Sequence, residues 1–490
     1  MSTKLMRGAL LMGKRDIQVH DLFYPEVKPG AVVLQVTAVG ICGTDLHAYR
    51  NTVSGRSAPD GHEYVGTVVE LGEGVSSLRL GQRVVCDPFL CSSCGTCAYC
   101  LRGLTFHCQN RVGHIDVGGF GNYVSVREKG CFPLPDEVDD SLGSLVEPLA
   151  VATHAVRMLK VRPGMSGVVI GGGTIGLCAL AAAQYAGAKD VYVVARYPAQ
   201  QKLALTLGAA AIISPDEIPA SGPFRETYPF GVDFAIEAVG GSAPTLEKAC
   251  QLVRPAGAIG VLGAFDPGYR GFELLPALLK EVSVHMSNCY GARDGRHDFE
   301  QAIEQLTRRG DKLRLLVTHR FDLEKITEAF RLADDKASGS IKVLITMPEH
   351  GPTRALTFFQ RINFSDPGIP EGLVRIEGLH DAEIWGRWSD GKRVIMQFRD
   401  PMPEKFTLQV AGRSFGPNAS KRFTATVSGV NRDFSLPAEI DGLVILQFEN
   451  PTRECTLVLQ IPEPASPLTL GMNGDARMLG LGLVSIIISG

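Results

Sequence analysis

Read for hydrophobic and polar alternation, the chain changes character several times along its length. Up to about residue 150, short apolar runs at 32–36, 64–69, 83–86 and 123–126 are separated by glycine-rich turns, with Gly61, Gly66, Gly72, Gly74 and Gly81 as punctuation. Runs of that length, bounded by turn residues, predict strands in a compact β domain that carries function on its loops. From residue 167 onward, strand-like runs at 168–170, 191–195, 234–238 and 259–262 alternate with helical stretches, the first of them the alanine-rich 177–186. That alternation predicts an α/β domain with a doubly wound parallel sheet. After about residue 285, an amphipathic helix at 299–308, strands at 318–321 and 342–346 and a second helix at 323–333 predict a return to the first domain. Gly351-Pro352 marks a boundary. Beyond it, alternating runs at 405–410, 422–427, 443–448, 456–461 and 483–488 predict an antiparallel β-sandwich. The expected domains are 1–150 together with 286–348, then 151–285, then 351–490.

Bulk properties narrow the classes. A chain of 490 residues, 45% hydrophobic and 21% charged, fits a globular protein of two or three domains. A formal net charge of −3 gives no footprint for nucleic acid or an anionic membrane. The first twenty residues carry charges throughout and no apolar core, so no signal peptide is expected. The apolar run 479–489 is too short to span a bilayer. A cytoplasmic protein is the expectation.

The cysteines point to metal. Five of the twelve fall between Cys91 and Cys108, the spacing style of a metal site in a reducing compartment. Cys94, Cys97, Cys100 and Cys108 can close a tetrahedral structural zinc site. Cys91 shares the period but is left out, because the run that begins Cys94-Gly95 ends correctly at Cys108. A second, dispersed set consists of Cys42, the pair His62-Glu63, and Glu147. A lone cysteine is ordinarily a small buried apolar residue. Together, however, Cys, His and carboxylate are the ligand types of a catalytic zinc that keeps one position open.

The third motif is Gly171-Gly172-Gly173-Thr174-Ile175-Gly176, set between a buried strand run and a helix. In that context it is a dinucleotide fingerprint: the glycines allow the tight turn, the approach of pyrophosphate and close helix packing, and the helix N-terminus faces the phosphates. Leu262 and Gly263, at the end of a later strand, are further expected cofactor contacts. The end of the second strand reads Ala195-Arg196-Tyr197. A carboxylate there would bind the ribose 2′-hydroxyl of NAD. Arg196 instead suits a 2′-phosphate, which favours NADP over NAD.

Taken together, these motifs resemble the zinc-dependent medium-chain dehydrogenases, in particular the polyol branch of sorbitol, threonine and butanediol dehydrogenases. The matching stretches are Gly40-Ile41-Cys42-Gly43-Thr44-Asp45, Gly61-His62-Glu63, the four-cysteine lobe, Glu147-Pro148-Leu149-Ala150 and the glycine fingerprint. The resemblance implies a barrel-like (GroES-like) catalytic domain plus a Rossmann domain, with two zinc ions per chain. It implies that Cys42, His62 and either Glu63 or Glu147 hold the catalytic zinc. It also implies that Asp45 orients a ligand, Thr44 hydrogen-bonds the substrate oxygen and His47 passes the proton to solvent. The implied reaction is hydride transfer between a secondary alcohol of a polyol or sugar derivative and NADP or NAD, in a homodimer or homotetramer. A threonine-type or amino-alcohol dehydrogenase is the alternative within this chemistry. Ala195 departs from the acidic residue of NAD-linked members, and Asn122 stands where Glu is often found.

Residues 351–490 fall outside that resemblance. They resemble a jelly-roll domain of uncharacterised function at the ends of some bacterial surface-polysaccharide glycosyltransferases, through Trp385-Gly386-Arg387-Trp388-Ser389, Ser466-Pro467-Leu468-Thr469-Leu470-Gly471 and Leu479-Gly480-Leu481-Gly482-Leu483. The resemblance implies a glycan or glycan precursor as a partner. It also leaves open a glycan-binding or assembly protein built on a dehydrogenase scaffold.

Overall fold

The strand Ala31–Gly40 is buried along nearly its whole length and is paired on both edges within a seven-stranded sheet. Glu63–Leu71 and Tyr123–Arg127 run antiparallel to it, and so does Lys342–Thr346 from much later in the chain. Arg83–Cys86, Cys131–Pro133 and Val317–Asp322 complete this sheet. The late strands thus return to the first sheet, with Leu344 opposite Gly40. The structure is a computed structural model and describes residues 4–52, 55–56, 58–112, 118–218, 223–347, 354–355, 358–438 and 441–490. The expected boundary Gly351-Pro352 lies outside the described residues.

The second sheet is parallel. Its spatial order is Ile212–Ile213, Val191–Val194, Gly167–Ile170, Val232–Glu237, Val253–Val261 and Ser283–Met286. The first strand in sequence is therefore central, and the order reverses between Gly167–Ile170 and Val232–Glu237. In such a sheet the crevice at that reversal, at the carboxyl ends of the strands, is where a dinucleotide binds. The helices Val146–Met158, Thr174–Tyr185 and Asp298–Leu313 pack together against one apolar core that reaches from Ala38 to Leu344.

The C-terminal residues form two antiparallel five-stranded sheets. One comprises Phe359–Asn363, Leu481–Ser489, Lys405–Ser414 and Gly442–Glu449, with Arg387–Trp388 on its flank. The other comprises Leu373–Glu377, Arg393–Phe398, Thr456–Gln460, Phe423–Val427 and Val430–Phe434. Alternate residues of both sheets, among them Ile362, Met396, Leu408, Phe423, Leu459 and Ile488, make a separate core.

Compactness divides the chain into two units: Pro25–Leu46 with Gly61–Glu349, and Met1–Tyr24 with His47–Asp60 and His350–Gly490. The sequence pattern alone puts all of residues 1–150 in one domain. The difference has a physical origin in the N-terminal hairpin, Lys4–Gly13 paired with Asp16–Phe23, whose free edge takes Arg354–Ala355 as a third strand. Among the described residues no helix is long and apolar enough to cross a membrane.

Candidate active site

The dispersed ligand candidates converge. Cys42 follows the strand Ala31–Gly40, and the next strand opens at Glu63, so His62 and Glu63 sit opposite that end, with Glu63 paired to Gly40. Cys42 Sγ, a His62 ring nitrogen and a Glu63 carboxylate oxygen lie within 4.8 Å of one another. Glu147 is not part of this trio. It stands in the first turn of the buried helix Val146–Met158, near enough to raise the proton affinity of His62. Burial, aided by the charge of Glu63, pushes Glu147 up to about 7. Burial alone would lower His62, but the Cys42 thiol, Asp45 and Glu147 together hold it well above its usual value.

Two groups hold the trio in place. Asp45 accepts a hydrogen bond from the Cys42 amide at 2.8 Å, and its other oxygen is 4.0 Å from His62 Nδ1. Lys342, buried like Glu63, donates to the Ile41 carbonyl at 2.9 Å and pairs with Glu63 Oε2. Burial opposes the Lys342 charge, but the Glu63 carboxylate outweighs it and raises the ammonium pKa. Glu63 Oε1 is left buried with no hydrogen-bond partner. A buried carboxylate with one unpartnered oxygen, grouped with a thiol and an imidazole, fits zinc, which takes all three donor types. Helix Val146–Met158 is itself clamped: buried Asp298 accepts from His154 Nδ1 at 2.7 Å and from Arg157 at 2.5 Å. Thr44 and His47 are exposed on the helix Gly43–Asn51.

The four-cysteine lobe also closes. The sulfurs of Cys94, Cys97, Cys100 and Cys108 lie within 4.8 Å of one another. The amides of Thr96 and Cys97 donate to Cys94 Sγ at 3.4 and 3.3 Å. The Thr96 amide foremost, then the Thr96 hydroxyl and the Cys97 amide, bring the Cys94 thiol down to about 5, which suits a thiolate ligand. Cys91 lies elsewhere, buried with its sulfur 3.0 Å from that of Cys86.

At the cofactor crevice Gly171 has φ +114°, and a Cβ on Gly176 would fall 1.8 Å from the Gly171 carbonyl oxygen, so a side chain is excluded at both. Around Gly173 a Cβ would meet nothing within 4 Å, which leaves room for a phosphate. Thr174 and Ile175 begin the helix, but the Thr174 hydroxyl is spent on the Ile341 carbonyl at 2.8 Å, leaving only its amide for a ligand. Leu262 and Gly263 are anchored by their amides to the Glu237 carbonyl. Arg196, just past Val191–Val194, is exposed, and among the described residues its guanidinium has no hydrogen bond or ion pair.

The pattern of the alcohol dehydrogenase GroES-like domain matches residues 28–136, and that of the zinc-binding dehydrogenases matches 174–308. The (R,R)-butanediol dehydrogenase of Bacillus subtilis (strain 168) is 34% identical over 366 residues, covering 69% of this chain and 99% of the relative. The chain belongs to the zinc-dependent alcohol dehydrogenases. Sorbitol dehydrogenase of the same strain is 29% identical to this dehydrogenase over 350 residues, covering 69% of this chain and 97% of the relative. A protein of Sinorhizobium meliloti 1021 solved with NADP superposes with a TM-score of 0.61 at 29% identity, over 70% of this chain and 99% of that one. The enzyme therefore uses zinc and a nicotinamide cofactor on an alcohol. Residues 352–490 match a domain of unknown function, DUF7024.

Three contributors to the dehydrogenase site escape a reading of the sequence. Lys342 opens a run that reads only as a strand, and the pairing of that strand with Ala31–Gly40 places its ammonium against Glu63. Gly40 reads as part of a motif, not as a spacer, yet a Cβ there would meet Glu63 Oε2 at 2.3 Å. Glu237, fully buried, gathers the Val239 and Gly240 amides and the Thr245 hydroxyl on one oxygen beneath the cofactor loop. An acidic residue ending an apolar strand run is the signal that marks Glu237 in sequence.

Proposed function

We propose that the dehydrogenase interconverts a secondary alcohol of a polyol or sugar derivative and its ketone, with NADP preferred. The observation that carries the site assignment is the buried trio Cys42, His62 and Glu63 with one orphan carboxylate oxygen. In this reading those three hold the catalytic zinc, Glu147 is the alternative carboxylate, and Cys94, Cys97, Cys100 and Cys108 hold a structural one. Zinc bound there supplies Lewis acidity that lowers the pKa of an alcohol. The nicotinamide supplies the hydride chemistry.

This chain's residues do the positioning and the proton handling. Asp45 fixes the Cys42 backbone and stands beside the His62 ring, the kind of outer support that metal ligands need. Lys342 restrains one oxygen of Glu63 and leaves the other without a partner. Thr44 hydrogen-bonds the substrate oxygen and His47, exposed on the same helix, releases the proton to water. The fingerprint glycines, with the amides of Thr174 and Ile175, receive the pyrophosphate. The two relatives named for butanediol and sorbitol support a substrate with more than one hydroxyl. A screen of polyols, sugars, their phosphates and threonine with NADP+ and NAD+ tests the reading. Turnover confined to threonine would replace the polyol assignment.

Arg196 carries the cofactor preference, since its unengaged guanidinium stands where a 2′-phosphate is read. Arg196→Ala is expected to weaken NADP+ binding by about 1.5–3 kcal/mol, the scale of a charged hydrogen bond, and to leave NAD+ binding unchanged. Equal losses for both cofactors in a binding titration would remove Arg196 from that role.

We further infer a homodimer, built on the edge strand Ser283–Met286 and the helix Leu274–Leu279. Leu274, Leu275, Leu278, Leu279 and Met286 are all exposed there, an apolar patch beside an open sheet edge. Leu275→Asp with Leu279→Asp should give a monomer in sedimentation velocity; a parent that is already monomeric would end this reading. For the C-terminal sheets we keep a glycan as the inferred ligand. Trp385 and Trp388 are half-buried, 5.1 Å apart edge to face, and bordered by Arg413, Glu383 and Arg477. Aromatic faces rimmed by planar polar groups suit sugar rings. Trp385→Ala should abolish glycan-array binding by the full chain, and a parent that binds no glycan would dismiss the idea.

A further inference from the structure

The strand Val232–Glu237, in the middle of the parallel sheet, ends on a carboxylate that is wholly buried. Burying a carboxylate is costly unless its oxygens are engaged. Glu237 Oε1 accepts from the Val239 amide at 2.8 Å, the Gly240 amide at 3.0 Å and the Thr245 hydroxyl at 2.8 Å. Thr245 opens the helix Thr245–Leu252, whose N-terminal dipole favours a negative charge beside it. The backbone of Glu237 holds two more groups. Its carbonyl accepts from the Leu262 and Gly263 amides at 2.8 and 3.3 Å, just past the neighbouring strand Val253–Val261. One residue thus joins the loop after its own strand to the loop after the next.

The two loops also bind each other. The Gly241 amide donates to the Ala264 carbonyl at 2.8 Å, and the Asp266 amide to the Gly241 carbonyl at 3.2 Å. Their packing is close: a Cβ on Gly263 would fall 2.3 Å from Glu237 Oε2, and one on Gly240 would fall 2.4 Å from the Ala264 carbonyl oxygen. The first loop borders the fingerprint as well. Glu237 pairs with Ile170, the Ala238 amide donates to the Ile170 carbonyl at 2.9 Å, and a Cβ on Gly171 would meet Val239 Cγ2 at 2.9 Å. This is the point at which the strand order of the sheet reverses.

We propose that Glu237 is a positioning residue for the nicotinamide cofactor, acting through Val239, Gly240, Leu262 and Gly263, the residues that wall the crevice beside the fingerprint. Loops that are already hydrogen-bonded in place spare the cofactor the cost of ordering them when it binds. The proposal rests on the reading that this crevice receives the dinucleotide.

Three full-length variants test this. Glu237→Met keeps the length of the side chain without its carboxylate, Glu237→Gln keeps one accepting oxygen, and Thr245→Val removes one donor of the three. Binding of NADPH and NADH is titrated by fluorescence, alongside zinc content, melting temperature and the KM values for cofactor and alcohol. Glu237→Met is expected to weaken binding of both reduced cofactors by about tenfold or more, and Thr245→Val by about threefold. Glu237→Gln should recover most of the loss. In each case KM for the cofactor rises with the loss of binding, while KM for the alcohol and the zinc content stay parental. A lower melting temperature with parental cofactor binding would make Glu237 a residue of the fold alone and overturn the proposal. Should Glu237→Met not fold, parental binding by Thr245→Val overturns it by itself. A parent that binds neither cofactor would overturn the crevice reading and the proposal with it, whereas a parent and variants that bind equally would overturn the proposal alone.

Discussion

Cys42→Ser is expected to leave the chain with one zinc where the parent holds two, and to lower kcat by about 10³-fold or more. The loss of metal follows from the donor set. Zinc prefers a thiolate, and a serine hydroxyl stays protonated at neutral pH, so the trio keeps only His62 and Glu63 as effective ligands. The four-cysteine lobe shares no residue with the trio, so it should retain its metal in this variant. The loss of rate follows from removing the Lewis acid, worth several kcal/mol, at about 1.4 kcal/mol per factor of ten. Cys97→Ser is the complementary case: it should lose the other zinc and retain the trio's. Elemental analysis after gel filtration, paired with steady-state rates, separates the two. A Cys42→Ser protein that keeps both metals and the parental kcat would remove Cys42 from the site.

The site is legible in sequence wherever chemistry needs a particular residue type at a tight local spacing. The four cysteines lie within fifteen residues of one another, and local geometry nearly suffices to bring their sulfurs together. The glycine fingerprint is legible for the same reason, since strand, turn and helix are consecutive. The choice between Glu63 and Glu147 is not legible. It depends on how the helix Val146–Met158 lies against the strand Glu63–Leu71, a packing question that spacing does not answer. Among the described residues Glu63 falls within the 4.8 Å grouping with Cys42 and His62, and Glu147 does not.

The fold shows the same division. Strand runs with strong apolar character, such as 443–448 and 483–488, correspond to Gly442–Glu449 and Leu481–Ser489. The strands Phe359–Asn363, Leu373–Glu377, Arg393–Phe398 and Val430–Phe434 escape detection; Leu373–Glu377 and Val430–Phe434 lie at the two edges of their sheet and alternate poorly. The alliance of the N-terminal hairpin with Arg354–Ala355 leaves no trace in the sequence at all. It joins strands some 350 residues apart through backbone hydrogen bonds, which leave no mark on side-chain pattern.

Lys342→Met is expected to destabilise the metal-free enzyme by about 3–5 kcal/mol, the usual result of stripping one partner from a buried ion pair. Glu63 and Lys342 are both almost wholly buried, and Glu63 Oε1 already lacks a partner. Without the ammonium, both carboxylate oxygens would be left unpaired away from water. Methionine keeps most of the volume, so the loss reports charge and hydrogen bonding in preference to packing. Two controls make the attribution specific. Adding Glu63→Gln to Lys342→Met removes the stranded charge and should recover a large part of the loss. Adding zinc should do the same by another route, because the cation supplies the positive charge that Lys342 gave. The zinc-induced rise in the melting temperature is therefore larger in Lys342→Met than in the parent. Denaturant titrations of the metal-free proteins, with melting curves with and without zinc, measure all three effects. If Lys342→Met proves as stable as the parent without metal, the ion pair is not what holds Glu63 at the trio.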